Sequence, residues 1–424
     1  MATSTQKIEK GYKQTDVGII PDDWNVARLG DYLARRPRYG IGAAAVEYSD
    51  RLPKYIRITD ISEDGRFLPD KSVSVDNLFS ANYFLSDGDI VVARTGASVG
   101  KSYLYKLKDG PLVFAGFLIC LTPDEDRLLP EYLNAYLKTT SYWNWVRLTS
   151  MRSGQPGING NEYAQLLFPL PEISEQRVIG ETLSNADALI EKIENLIDKK
   201  ANIKKGAMQE LLTGKKRLPG FSGKWETKKM GDLGFFYKGR GISSKDLVQD
   251  GLPCIMYGDI YVKFDTKFSN PDFRITEMTA AKSALAKTGD LFFTASGETA
   301  EEIGKCVVYQ GKENIYIGGD IIAMTPNQET DSLFLAYMQN SSGLLSQKAT
   351  LGQGHTVVHI YTEHIKALKL PLPPTKKEQT AIATILSDMD TEIESLKSQL
   401  SKYRNLKQGM MQRLLTGKIR LLAK

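Results

Sequence analysis

The sequence repeats itself once, in order, and that constrains the fold more than any other feature. LLTGK stands at 211–215 and again at 414–418. PLPEISEQ at 169–176 returns as PLPPTKKEQ at 371–379. Weaker echoes keep the same order. Trp24 with Leu29-Gly30-Asp31 matches Trp225 with Met230-Gly231-Asp232. Ile56–Ile61 resembles Ile255–Ile260, Gly88–Val92 resembles Gly289–Phe293, and Leu121-Thr122-Pro123 resembles Met324-Thr325-Pro326. Conserved order makes chance a poor explanation. The implied plan is a globular unit over 1–168, a helical region over 169–218, a second globular unit over 219–370 and a second helical region over 371–424. At roughly 100–200 residues per domain, a 424-residue chain has room for this.

The helical regions carry the clearest periodicity. In the second, Ile382, Leu386, Met389, Ile393, Leu396, Leu400, Tyr403, Met410 and Leu414 follow alternating gaps of four and three, interrupted by Lys407. The first has the same seam in the same register: Ile179, Leu183, Ala186, Ile190, Ile193, Ile197, Lys200, Lys204, Ala207 and Leu211. At 1.5 Å per residue this seam spans ~50 Å. Pro171 and Pro374 precede the helices, and Gly214 and Gly417 come after them, as start and stop signals require. A stripe this narrow suits pairing of one helix with another rather than with a broad core. Because the chain crosses a whole globular unit between the helices, the pairing is expected to be antiparallel, with the halves related by a pseudo-twofold axis. Lys200, Lys204 and Lys407 on the seam are expected to loosen it there.

The globular units read as mixed α/β (α+β). Short β-rich runs such as DIVVAR (89–94), PLVFAGFLICL (111–121), DLFFTA (290–295) and NIYIGGDIIAM (314–324) alternate with Gly, Asp and Pro turns. The segments 131–146 and 332–345 look helical. The whole is then two copies of a globular α/β unit joined by two long antiparallel coiled-coil helices.

Catalytic signatures fail one after another. RTGASVGKS (94–102) has three residues between Gly96 and Gly100 where a phosphate loop needs four, and the segment after it reads as strand, not helix. GIGAAA (40–45) comes after RRPRY, not after the apolar strand a dinucleotide fingerprint requires. The three histidines, His355, His359 and His364, have no metal-ligand spacing and no nearby cysteine. No G-x-S-x-G and no methyltransferase tetrapeptide for a flipped base is present. Neither a catalytic residue nor a metal site is expected. Cys120, Cys254 and Cys306 are too scattered for a disulfide framework, which fits a reducing compartment. The first fifteen residues lack the apolar run of a signal peptide, so a soluble cytoplasmic protein is expected.

Charge adds little on its own. Residues 1–168 hold 20 basic and 20 acidic side chains, residues 219–370 hold 16 and 17, and the surplus lies in 371–424 with 10 against 5. Near-neutral globular units do not by themselves indicate a nucleic-acid partner.

Specific motifs do. GYKQTDVGIIPDDWNVARLGDYL (11–33) resembles the opening of Type I restriction-modification specificity subunits. The stretch 169–221 carries a PLPP-x-x-EQ-like start, a Leu-Ser-x-x-Asp step and a Leu-Leu-Thr-Gly-Lys exit similar to that family's, and 371–418 repeats all three. VVARTGASVGK (91–101) looks like its target-recognition signature. Glu172 departs where the second copy has Pro374, and the second signature, 294–305, is degraded. The resemblance implies two target recognition domains, each reading half of a bipartite, asymmetric DNA site, with the helices as spacer and as a platform for modification subunits. Expected partners are double-stranded DNA, two modification (methyltransferase) subunits, which bind S-adenosylmethionine and methylate adenine, and restriction subunits that use ATP and Mg. No cofactor is expected in this chain.

Side chains suited to that reading cluster in a few places. Arg36, Arg38 and Tyr39 belong to the most basic cluster of the first globular unit, and Lys238, Arg240 and Ser243 stand comparably in the second. Arg94, Thr95, Ser98 and Lys101 lie on the Gly-rich signature loop, with Ser296 at its counterpart. Arg152, Ser153 and Gln155 precede the first helix, and Gln353 and His355 the second. All have groups able to read base edges or phosphates.

Overall fold

The structure is a computed structural model describing residues 8–152, 154–354 and 357–422. The chain forms two compact units, residues 1–194 with 399–424, and residues 195–398. Two 39-residue helices, Ile173–Leu211 and Lys376–Leu414, each give part of their length to each unit.

The globular part of the first unit is built on two four-stranded sheets. One has Leu33–Tyr39, Leu118–Pro123, Ile90–Ala93 and Ser102–Leu104 side by side, all antiparallel. The other has Leu112–Phe114 parallel to Lys54–Ile56, then Val73–Val75 and Ala45–Val46. Strand Ile90–Ala93 shows why such runs are continuously apolar. Ile90 and Val92 face the helices, among Tyr132, Leu133, Tyr136 and Phe168. Val91 and Ala93 lie in the core with Ile56, Phe114 and Cys120 of the sheets. A strand covered on both faces loses the in–out alternation. Between them the four residues are wholly removed from solvent, which at ~25 cal/mol per Å² makes this strand a principal anchor of the unit.

The second unit repeats the arrangement with five-stranded sheets. Gly234–Lys238, Ile321–Pro326, Leu291–Thr294, Cys306–Tyr309 and Lys267–Phe268 form one, and Leu247–Val248, Phe273–Ile275, Leu252–Ile255, Ile315–Ile317 and Ala284–Ala286 the other. Leu291 and Phe293 face the helices while Phe292 lies in the core with Ile255 and Ile317 of the other sheet, as in the first unit. The expected helical stretches resolve into Pro130–Tyr136 and Thr140–Thr149, and into Ser332–Gln339 and Ser342–Leu351.

Every predicted seam position is buried or half-buried. Within each unit the helices run antiparallel. In the first, Asp187 pairs with Lys407, and Glu194 Oε1 accepts from Arg404 Nη2 at 2.5 Å. In the second, Lys200 meets Glu392 at 2.6 Å and Lys204 pairs with Asp390. Partner numbers fall as chain numbers rise. The seam lysines do not loosen the pairing as expected. Each lysine finds an acid on the facing helix, and Asp187 and Asp390 are the aspartates of the duplicated Leu-Ser-x-x-Asp step.

The other duplicated motifs form a latch in each unit. In the first, buried Glu175 accepts from Trp24 Nε1 at 3.0 Å and from Arg420 Nε and Nη2 at 2.5 and 2.7 Å. In the second, buried Glu378 accepts from Trp225 Nε1 at 3.3 Å and from Arg217 at 2.6 and 2.8 Å. Each arginine stands just after the LLTGK exit of one helix, and each glutamate lies at the start of the other. The neighbouring glutamines, Gln176 and Gln379, accept the Leu129 and Asp331 amides at 3.0 and 2.9 Å and donate to the Pro171 and Pro373 carbonyls. Gly214 (φ +71°) and Gly417 (φ +67°) end the helices in the left-handed conformation glycine allows.

Candidate nucleic-acid interface

In the first unit the predicted residues separate into two groups. Arg38 is bound into the sheet. Its guanidinium lies 3.9 Å from the buried Asp89 carboxylate and 5.6 Å from the Phe114 ring centroid. Arg35 and Thr122 complete the set around Asp89, at 3.4 and 2.5 Å. Burial and the Asp89 charge push the Cys120 thiol up to about 12, so it stays protonated and unreactive. Lys101 is mostly covered and committed to Glu63 at 2.7 Å. Arg36 is exposed, and Ser98 ends the short turn Gly96–Ser98.

The second group converges. Arg94 stacks over the Tyr39 ring at 4.9 Å, and the Tyr39 hydroxyl accepts from the Gly160 amide at 3.0 Å. Thr95 bridges to Gly157, Gly96 donates to the Pro156 carbonyl at 3.0 Å, and Ile158 donates to the Arg94 carbonyl at 2.9 Å. The segment carrying Arg152 and Gln155 is thus fastened to the signature loop. Arg152 and Gln155 are exposed, Arg152 pairing with Glu162. Ser153 lies outside the described residues.

Strand Leu33–Tyr39 runs directly into Gly40, the first glycine of the false dinucleotide motif. A Cβ there would fall 2.2 Å from the Ala115 carbonyl oxygen. At Gly239 in the second unit a Cβ would fall 1.8 Å from the Gly318 oxygen. The glycines allow the end of each strand to press against a tight turn; no nucleotide need be invoked.

The second unit keeps the scaffold and changes the side chains. Asp290 takes the place of Asp89, accepting from Tyr237 and Thr325, each at 2.6 Å. Burial first, then Asp290, raises the Tyr237 phenol well above its usual range. Ser296-Gly297 pairs with Val358-His359, and Ile360 donates to the Ala295 carbonyl at 2.9 Å, as Ile158 does to Arg94. Ser296 Oγ lies 3.0 Å from His359 Nδ1, and Gln353 exchanges two backbone bonds with His359. Ser296 and Gln353 are therefore brought together. Lys238 and Arg240 are exposed at the strand end, while Ser243 caps the turn it begins by donating to Asp246. His355 lies outside the described residues. His359, for which the sequence offers no metal-ligand spacing, sits at the centre of this loop pair. Its place was hidden because the partner, Ser296, is 63 residues away.

The paired loops present hydrogen-bonding side chains on segments fastened to each other by backbone bonds, an arrangement suited to reading an extended polar surface. Among the described residues no group of His, Cys, Asp or Glu could hold a metal ion, and no helix is long and apolar enough to cross a membrane.

Comparison with known proteins agrees. The family model for the Type I restriction modification DNA specificity domain matches twice, over residues 21–202 and 222–402. A putative type I restriction enzyme specificity subunit of Methanocaldococcus jannaschii is 26% identical over 97% of both chains. The EcoKI specificity subunit of Escherichia coli is 22% identical over 95% of this chain and 90% of that one. In fold, the crystal structure of a Type I restriction-modification S subunit from M. genitalium overlays with a TM-score of 0.61 at 14% identity, covering 96% and 98% of the two chains. A chain from a type I R-M system overlays at 0.53 and 17%, covering 94% and 99%. With matching latches, matching loop pairs and two matches to one DNA specificity domain, the chain belongs to the Type I restriction-modification specificity subunits, the non-catalytic members that recognise DNA sequence through two tandem target recognition domains.

Proposed function

We propose that each globular unit reads one half of a bipartite, asymmetric DNA site, residues 1–168 one half and residues 219–370 the other. The observation that carries this is the duplicated loop pair: one backbone frame, at Thr95–Gly157 and at Ser296–His359, bearing different side chains. A common frame gives both units one way of docking, and different side chains give them different sequences to read. Tyr39, Arg94, Thr95, Arg152 and Gln155 are the leading contacts of the first unit, and Ser296, Gln353, His359 and Arg240 those of the second. Arg38, Lys101 and Ser243 serve mainly to hold the frame. The competing reading, a coiled-coil scaffold with no DNA role, predicts no sequence-dependent gel shift from the assembled complex.

In this proposal the helical regions, 169–218 and 371–424, set the spacer and dock two modification subunits, one per half. S-adenosylmethionine, ATP and Mg belong to the partner subunits, and the complex works in the cytoplasm. Native mass spectrometry at saturation is expected to count two modification subunits per chain, and a count of one would contradict the symmetric arrangement.

The spacer role is tested by lengthening both helices together. Leu211 and Leu212 are buried in the core of the second unit, so an insertion just before them would pull that core apart. Seven residues added after Ile197 and seven after Leu396 preserve the heptad. They add ~10 Å of helix, about three base pairs at ~3.4 Å each. Methylome sequencing should show the same half-sites with a spacer longer by about three base pairs. Unchanged spacing at full activity would mean the helices are not the ruler.

A further inference from the structure

One turn in each unit is built alike and ends in opposite chemistry. In the first, Ala115-Gly116-Phe117 joins strand Leu112–Phe114 to strand Leu118–Pro123. In the second, Gly318-Gly319-Asp320 joins Ile315–Ile317 to Ile321–Pro326. The Phe117 carbonyl accepts the Arg94 amide at 3.0 Å, and the Asp320 carbonyl accepts the Ala295 amide at 2.8 Å. Each turn is thereby fastened to the residue that opens the signature loop and its counterpart. Phe117 is 60% exposed although its side chain is apolar. Asp320 is exposed and, among the described residues, is the one non-glycine residue with positive φ, at 59°. Among the described residues no hydrogen bond or ion pair of its side chain explains why an aspartate stands there when glycines precede it.

We propose that positions 117 and 320 are specificity determinants, Phe117 meeting a thymine methyl in the first half-site and Asp320 accepting from a cytosine amino group in the second. This rests on the reading that the paired loops face DNA. An exposed carboxylate near a phosphate backbone is repelled, so it is useful only against a base donor. The cytosine N4 amino group has an acceptor on one side only, the O6 of its paired guanine, whereas the adenine N6 amino group stands between N7 and the thymine O4, which repel the second carboxylate oxygen. A left-handed backbone is unfavourable for a non-glycine residue and least so for Asn and Asp. Such a conformation, held where glycine would be easier, is a mark of function. An exposed phenyl ring on the equivalent turn has no donor or acceptor and discriminates through the thymine methyl.

The test uses the assembled methyltransferase complex and duplexes carrying its own methylated site, each base pair changed in turn. Asp320→Gly removes the carboxylate and relieves the backbone, so the variant folds. It is expected to lose discrimination of roughly 10–100-fold at one cytosine of the second half-site, with the first half-site read as before. Asp320→Asn, which keeps the shape and adds a donor, should lose the same preference. Phe117→Ala should abolish a several-fold preference for thymine over deoxyuridine at one position of the first half-site. Full discrimination at every second-half position in Asp320→Gly overturns the assignment of Asp320, and an unchanged thymine preference in Phe117→Ala overturns that of Phe117. If exchanging residues 219–370 also leaves the second half-site unchanged, it is the DNA-facing reading of the unit that fails. If that exchange transfers specificity while the point variants do not alter it, only the present inference fails.

Discussion

Alanine in place of Glu378 is expected to destabilise the second unit by about 2–3 kcal/mol and to lower its unfolding temperature by roughly 5–10 °C. The Glu378 side chain is 1% exposed and receives two bonds from Arg217 and one from Trp225. Removing it takes the counter-charge from a half-buried guanidinium, which keeps the Ser222 and Gly223 carbonyls, and takes the acceptor from the Trp225 indole N–H. Losing one partner of a buried pair costs about 3–5 kcal/mol, reduced here because the Arg217 side chain is 25% exposed and water can reach part of it. Glu175→Ala should act on the first unit in the same direction but by less, since Trp24 loses its acceptor while Arg420 keeps its pair with Asp23 at 3.0 and 3.1 Å. Glu378→Gln keeps an acceptor of the same shape and should cost less. Hydrogen exchange on the full chain, read separately over the residues of each unit, is the measurement. Each alanine variant should speed exchange in its own unit first. Unchanged exchange would show that the duplicated Glu-Gln motif is not what fastens the helices to the globular parts.

The latch also shows what the sequence could and could not tell. Seam positions from Ile179 to Leu211 and from Ile382 to Leu414 were legible because helical periodicity is local and each position is set by its neighbours. The Glu and Gln of each helix start were visible as a repeated motif. Their partners were not, since Arg420 and Glu175 are 245 residues apart and nothing local links them. The seam lysines misled for a similar reason: a charge on an apolar stripe looks like a break until the facing acid is known. In the globular units, Arg94 and Thr95 stood out because the signature loop is rich in glycine. Arg38 stood out as part of a basic cluster, but the structure ties it to Asp89, a role composition does not reveal. Phe117, Asp320 and His359 carried no signal at all. Their significance comes from turns and loop pairs that only long-range strand pairing brings into being.

The most direct measurement of modular reading is a methylome of cells in which residues 219–370 are replaced by the matching segment of another family member. The boundaries fall outside Leu211 and Leu212 and before Lys376, so the long helices stay intact. Strand Glu226–Lys229, which pairs with Lys369–Leu372, is exchanged almost whole with its partner, and only Pro371 and Leu372 remain from the original chain. The Trp225–Glu378 bond and the Arg217 latch require only that the incoming segment supply a tryptophan at the same place. The expected result is a new second half-site, an unchanged first half-site and an unchanged spacer. A change in both half-sites, in a complex that still assembles and methylates, would contradict it.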